Sequence, residues 1–246
     1  MQAWIVPALT ALISTVGAIV SAWYGSQAAR GERREAAEKL ATLFREPLLQ
    51  AVFNLQTRIY NIIELDFFER FLGVDNTKEE REYAKLYTMY LFAQYFCWLE
   101  ILRRHAQFID PRNDRINRVI EGKLEAVRDT FTDSINIDEC AFRLFRGEQR
   151  ALGEVLLVRI ADPHRGAPRW ECMGYAAFVA ALEREQVARW FRSLEADIAV
   201  TARDRRGHDA RLRLIQLRLM DILDVLDPNS IRVPSHLRKR VSDTGL

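Results

Sequence analysis

The chain has 246 residues, 36 basic and 34 acidic, for a formal net charge of +2. Every one of those charges falls in residues 30–246, while residues 1–29 carry none. With 49% hydrophobic and 10% aromatic residues the chain can build a core, which excludes disorder; no second apolar stretch reaches membrane length, which excludes a multispan transporter.

The uncharged opening reads as a membrane anchor. Ala3 to Tyr24 would measure about 33 Å as a helix, enough for a hydrocarbon layer of about 30 Å. Trp4 stands at one end and Trp23 with Tyr24 at the other, where amphipathic rings prefer the headgroup level. Arg30, Arg33, Arg34 and Lys39 follow at once, so the positive-inside rule places the N-terminus outside and the rest in the cytoplasm. The rival reading, a cleaved secretory signal, wants basic residues in front and a shorter apolar run, and this segment has neither. Gly17, Ser21 and Gly25 repeat every fourth residue, a small face that lets helices approach closely in lipid and predicts self-association. An apolar seam through Ala29, Ala36, Leu40 and Leu43 extends the helix as a juxtamembrane stem over residues 30–46, ended by Pro47.

From Pro47 on, the pattern is helical nearly throughout, which predicts an all-α body over residues 47–227 and a polar, basic tail over 228–246. One helix is expected from Pro47 to Gly73. Thr77 with Glu80 forms a capping-box pattern that opens a long helix to about Phe108. Leu86–Leu99 carries no charge and is apolar nearly all round, the pattern of a bundle's central helix. A third helix spans about Ile116–Phe131. Ala141–Phe145 reads as a short strand or as the first turn of a helix that continues through Gly147–Ile160. A loop follows at Ala161–Arg169, then helices at 171–184, 186–202 and 208–227.

Charge is unevenly placed on this body. Glu64–Glu82 holds seven acids against three bases, and Arg203–Arg218 holds six arginines against two aspartates, with Arg232, Arg238, Lys239 and Arg240 beyond. The basic end would suit anionic lipid or RNA, or the acidic stretch of the same or a neighbouring chain. Arg58, Glu100, Arg104, Arg146 and Glu148 lie on or beside apolar helical faces, where polar groups need partners. Glu100 can meet Arg104 one turn on, or Arg58 from a neighbouring helix; Gly147 between the charges of 146–150 suggests a close approach or a sharp turn.

No P-loop, dinucleotide fingerprint, zinc-protease helix or nucleophile elbow is present, and the cysteines and histidines have no metal-ligand spacing. No cofactor is expected, and enzymatic activity is not indicated by any strong motif. Arg203-Asp204-Arg205-Arg206-Gly207-His208 resembles the R-x4-H ribonuclease motif of HEPN domains. That resemblance implies Arg203 and His208 as catalytic residues acting on an RNA phosphodiester across a dimer cleft. More of the body, at Phe44–Gln50, Leu55–Asn61, Ala93–Arg104 with Gln107-Phe108, and Phe142–Gly153, resembles a family of bacterial membrane-anchored helical proteins of unassigned function. This likeness implies an inner-membrane protein and carries no activity with it. The expectation is therefore a self-assembling, single-pass protein acting as scaffold, sensor or membrane effector, with possible settings in bacterial stress or phage defence. A membrane-tethered ribonuclease and an oligomeric ion-conducting pore are the alternatives.

Overall fold

The computed structural model describes residues 44–105, 114–133, 141–161, 169–204 and 208–242. The expected span, its Gly17, Ser21 and Gly25 face and most of the stem lie outside the described residues. Among the described residues no helix is long and apolar enough to cross a membrane.

The body is mainly helical. Helix α1 (residues 44–64) runs unbroken through Pro47, so the proline marks no boundary between stem and body among the described residues. The expected single helix to Gly73 breaks at Asp66, whose left-handed φ of 51° turns the chain into α2 (Phe67–Leu72). Helix α3 (Lys78–Glu82) opens on the expected capping box: Glu80 N–H donates to Thr77 Oγ1 at 3.2 Å, and Thr77 N–H donates to Glu80 Oε2 at 2.9 Å. A π-helical turn (Tyr83–Tyr87) carries it into α4 (Thr88–His105). Met89–Ala93, Tyr95–Cys97 and Leu99 are all buried, as a helix apolar on every side requires.

Helix α5 (Asp114–Thr132) packs along α10 (Ala210–Leu226), and α6 (Arg146–Val155) packs along α4. The α4–α6 contact is unusually close. A Cβ placed on Gly153 would lie 2.6 Å from the Phe96 carbonyl oxygen, so only glycine fits there. Gly147, the glycine singled out from the sequence, meets nothing within 4 Å. Phe92 and Phe96 of α4 meet Phe131 of α5 and Phe142, with ring centroids 5.2–6.0 Å apart.

Residues 146–160 do not form one helix. The helix stops at Val155, and Leu157–Ile160 (β1) pairs antiparallel with Arg169–Cys172 (β2), Leu157 opposite Cys172 and Ile160 opposite Arg169. Val158 and Ile160 are β-branched, and the proline- and glycine-containing connection returns the chain to a partner strand. The expected helix at 171–184 is accordingly shorter, as α7 (Tyr175–Ala181). Ala141–Phe145 forms neither strand nor helix. Phe142 there adopts a left-handed φ of 66° with its ring fully buried, and Leu144 N–H donates to Phe131 O at 2.9 Å. Helix α8 (Glu185–Ala188), a 3-10 turn (Arg189–Phe191) and α9 (Arg192–Arg203) follow.

The C-terminal tail is a strap rather than a free end. The buried Asp227 carboxylate, just after α10, accepts the backbone N–H groups of Ile231, Arg232 and Val233 and an ion pair from Arg238 at 2.6 Å. Burial alone would raise its pKa; these donors outweigh that and hold it below the ordinary value. The strap then crosses Gln216, which donates to Lys239 O at 2.8 Å and accepts from Val241 N–H at 3.3 Å. It reaches Glu64, which accepts from Ser242 at 2.9 Å. Arg45 donates to the Leu226 carbonyl and closes the end of α10.

Three variants have expected outcomes in unfolding measurements. Gly153→Ala should lower stability by about 1–3 kcal/mol, because backbone cannot yield to the new methyl group. Gly122→Ala, on the exposed face of α5 with open space around it, should raise stability by up to about 1 kcal/mol. Asp227→Ala leaves Arg238, 9% exposed, without its buried partner and should cost about 3 kcal/mol or more. It should also make the bond after Arg238 newly sensitive to trypsin.

Candidate functional site

A groove lies between α4, α5 and α6. Its wide part holds about 530 Å³ over a floor of Leu99, Leu102 and Leu124, with Gly122 on one wall. A narrow part of about 140 Å³ continues beneath Phe96 to Gln149 at the start of α6. Leu99, Arg103 and Arg128 line both parts and make them one groove. Five arginines (103, 118, 128, 146 and 150) face three glutamates (100, 121 and 125) along its walls.

The sequence pointed to part of this cluster. Glu100 is buried with a side chain only 8% exposed, and its Oε2 accepts Arg103 Nε at 2.9 Å and Nη2 at 2.8 Å. Arg150 approaches the same oxygen at 3.9 Å. The expected i, i+4 partner, Arg104, turns instead to Glu154 at 3.3 Å and lies 5.0 Å from the Trp170 ring. Arg146 pairs with Glu125 and Asp129 of α5. The Glu148 carboxylate accepts Phe145 N–H at 2.8 Å and so closes the start of α6. Arg103 shares the polar edge of α4 that the sequence marks, whereas nothing local marks Arg118 and Arg128, which only the placing of α5 beside α4 brings to it. Gln149 donates through Nε2 to Arg128 O, Leu144 O and Thr132 Oγ1, while its buried Oε1 accepts from no described residue. Water or a ligand hydroxyl completes such an acceptor.

Arg58 belongs elsewhere. Its guanidinium sits 3.9 Å from the Phe67 ring centroid and 5.3 Å from those of Tyr83 and Tyr87, and Nη2 donates to Tyr83 Oη at 3.1 Å. Burial pulls its pKa below the ordinary value, and the neighbouring tyrosines oppose that. Glu100 lies 17 residues beyond Tyr83 on one helical rod, about 25 Å away, which rules out the expected Arg58–Glu100 contact. The aromatic faces, attracted to the cation, take the carboxylate's place.

Arg203 and His208 have different surroundings. Arg203 is exposed and lines a groove of about 480 Å³ with Glu195, Ile198 and Ala202 of α9 and Lys78, Arg81 and Lys85 opposite. His208 acts on Asp197, about 120° around α9 from Arg203. Asp197 also accepts the Phe142 N–H and faces Arg211 and Glu148. Burial, opposed by that hydrogen bond and by Arg211 and His208, pushes its pKa up to about 6. Arg211 is itself fully buried and donates to Thr130 O at 2.6 Å and Asp133 O at 2.8 Å at the end of α5. The fold further brings Cys97 of α4 into thiol contact with Cys172 of β2, and that contact with burial pushes the Cys97 thiol far up. No sequence spacing joins these two cysteines.

Much of the basic C-terminal charge is met within the chain. Arg238 and Arg240 pair with Asp224 at 3.1 and 2.7 Å, Arg213 pairs with Asp209 at 3.0 Å and Glu64 at 3.7 Å, and Arg232 pairs with Glu46 at 3.0 Å. Chemically, the α4–α5–α6 groove offers fixed positive charge and an apolar floor, and the described residues on its walls include no thiol, hydroxyl nucleophile or imidazole. That is equipment for binding. Comparison with known proteins returns no matching family model, curated protein or solved structure.

The raised Asp197 pKa fixes the sign of one pH effect. A carboxyl that titrates near 6 when folded, against 3.8 ordinarily, binds its proton more tightly in the folded state. Its contribution to stability therefore grows as pH falls from about 6 to about 4 and is lost as pH rises. Asp197→Asn keeps an acceptor for Phe142 and removes the charge. The variant should be more stable than the parent at pH 7–8 by about 1 kcal/mol, after allowance for solvent screening, with the difference vanishing near pH 4. Thermal unfolding across pH 4–8 measures it.

Proposed function

We propose that the chain is a membrane-anchored helical protein of the bacterial inner membrane, with residues 1–29 crossing once, the N-terminus outside and the helical body in the cytoplasm. The observation that carries this reading is the uncharged run of 29 residues, long enough to span and followed immediately by Arg30, Arg33 and Arg34. Residues 30–46 serve as stem. Copies associate through the small face of Gly17, Ser21 and Gly25.

The work of the assembly is sensing, scaffolding or a membrane effect, in the setting of bacterial stress or phage defence, rather than catalysis. An arginine-lined groove with an apolar floor supports a binding role for the body. The ion pairs made by Arg213, Arg232, Arg238 and Arg240 support a self-contained body, with self-association ahead of anionic lipid or RNA as the main interaction. A ribonuclease built on Arg203 and His208 has less support, since the lining of the groove that holds Arg203 does not include His208.

The test is extraction followed by sizing. The full chain should remain in bacterial membranes through an alkaline carbonate wash. In mild detergent it should run as an oligomer, and Gly17→Leu with Ser21→Leu should reduce it toward the monomer. Release by carbonate overturns the anchor, and an unchanged oligomer in the double variant overturns association through this face.

A further inference from the structure

We infer that the groove between α4, α5 and α6 binds a phosphate-bearing small molecule of about nucleotide size, with its phosphate at the narrow end and its apolar body over the leucine floor. The inference rests on the groove alone and does not depend on the membrane anchor.

The narrow end gathers Arg103, Arg128, Arg146 and Arg150 around a space of about 140 Å³. Arginine stays charged under all physiological conditions, and its planar fork matches phosphate oxygens two at a time. The first turn of α6 adds its own positive end. Arg146 sits on that turn although a helix N-terminus disfavours cations, and Arg150 follows one turn on. The placement of Arg146 is thus unfavourable locally and suits an anion brought from outside.

The present partners of these arginines are weak competitors. Glu125, Asp129 and Glu154 have side chains 51%, 63% and 40% exposed, and ion pairs at such positions contribute about 0–1 kcal/mol. A dianionic phosphate can displace them, and the freed carboxylates return to water. Glu100 behaves differently. It is buried and holds Arg103 through two hydrogen bonds, which fixes the plane of that guanidinium at the junction of the two parts.

The wide part decides what the phosphate is attached to. Its volume of about 530 Å³ exceeds what inorganic phosphate needs and lies within the range of small-molecule sites. Leu99, Leu102 and Leu124 supply an apolar floor, and Arg118 stands on the wall, where a guanidinium can stack on a flat ring. Gly122 leaves open space on that wall, with no atom within 4 Å of where a Cβ would stand.

The experiment measures binding of adenosine monophosphate, inorganic phosphate and adenosine, in separate titrations, to the full chain in mild detergent. Adenosine monophosphate should bind saturably, phosphate at least roughly tenfold more weakly, and adenosine more weakly still. Arg150→Gln, at an exposed position, should weaken both phosphate-bearing probes about tenfold, the loss expected for one charge-assisted contact. Gly122→Leu should weaken adenosine monophosphate by at least about tenfold and leave inorganic phosphate unchanged. Because a leucine at this exposed helical position improves helix propensity, its melting temperature should not fall, so lost binding cannot be put down to misfolding. The proposal is overturned if neither phosphate-bearing probe binds at about 10 mM, if Arg150→Gln leaves phosphate binding intact, or if adenosine binds as tightly as its monophosphate. Adenosine monophosphate that binds no more tightly than inorganic phosphate and is not weakened by Gly122→Leu overturns the organic body and leaves a simple anion site.

Discussion

The close approach of α6 to α4 at Gly153 governs much of this body. With no side chain between the Gly153 backbone and the Phe96 carbonyl, the two helices sit nearer than side-chain packing allows. That proximity brings Arg146, Gln149 and Arg150 to the wall opposite Arg103 and puts Arg150 within 3.9 Å of the buried Glu100. It also ends at a point from which β1 can pair with β2, and the hairpin in turn sets Cys172 against Cys97. A single missing methyl group thus underlies both the groove and the thiol contact.

Buried and half-buried charge is handled in three ways. Arg211 and Arg45 are consumed by carbonyl groups at helix ends, where four acceptors otherwise lack partners. Arg58 is held by aromatic faces and a tyrosine hydroxyl. Asp227 is enclosed by backbone donors and Arg238 and fastens the tail across α10. All three fix the relative positions of helices. Arg128, Arg146 and Arg150 of the groove differ, because Glu125, Asp129 and Glu154 opposite them are exposed and can be exchanged.

The basic C-terminus shows that linear charge does not name its own partners. Six arginines within Arg203–Arg218 and four more bases beyond read as a surface for lipid or RNA. Folding aligns the strap with the acidic side of α10, so that Asp221, Asp224 and Asp227 meet Arg238 and Arg240. The spacing of those aspartates every third residue was visible, yet nothing local says that residues 238–240 return to them.

What the sequence determined by itself was whatever depends on neighbours along the chain. Helical class, the capping box at Thr77 and Glu80 and the central role of Leu86–Leu99 all follow from periodicity and local hydrogen bonding. So does the uncharged opening run, a property of composition alone. The tertiary structure alone decided the strand pair at 157–172, the partners of Arg58 and Arg104, the exact glycine at the helix contact and the assembly of five arginines into one groove. A strand needs a partner before its backbone groups are satisfied, and a charge takes whichever opposite charge or ring packing delivers. Both are settled by residues tens of positions away, which is why local pattern could name the candidates and not their companions.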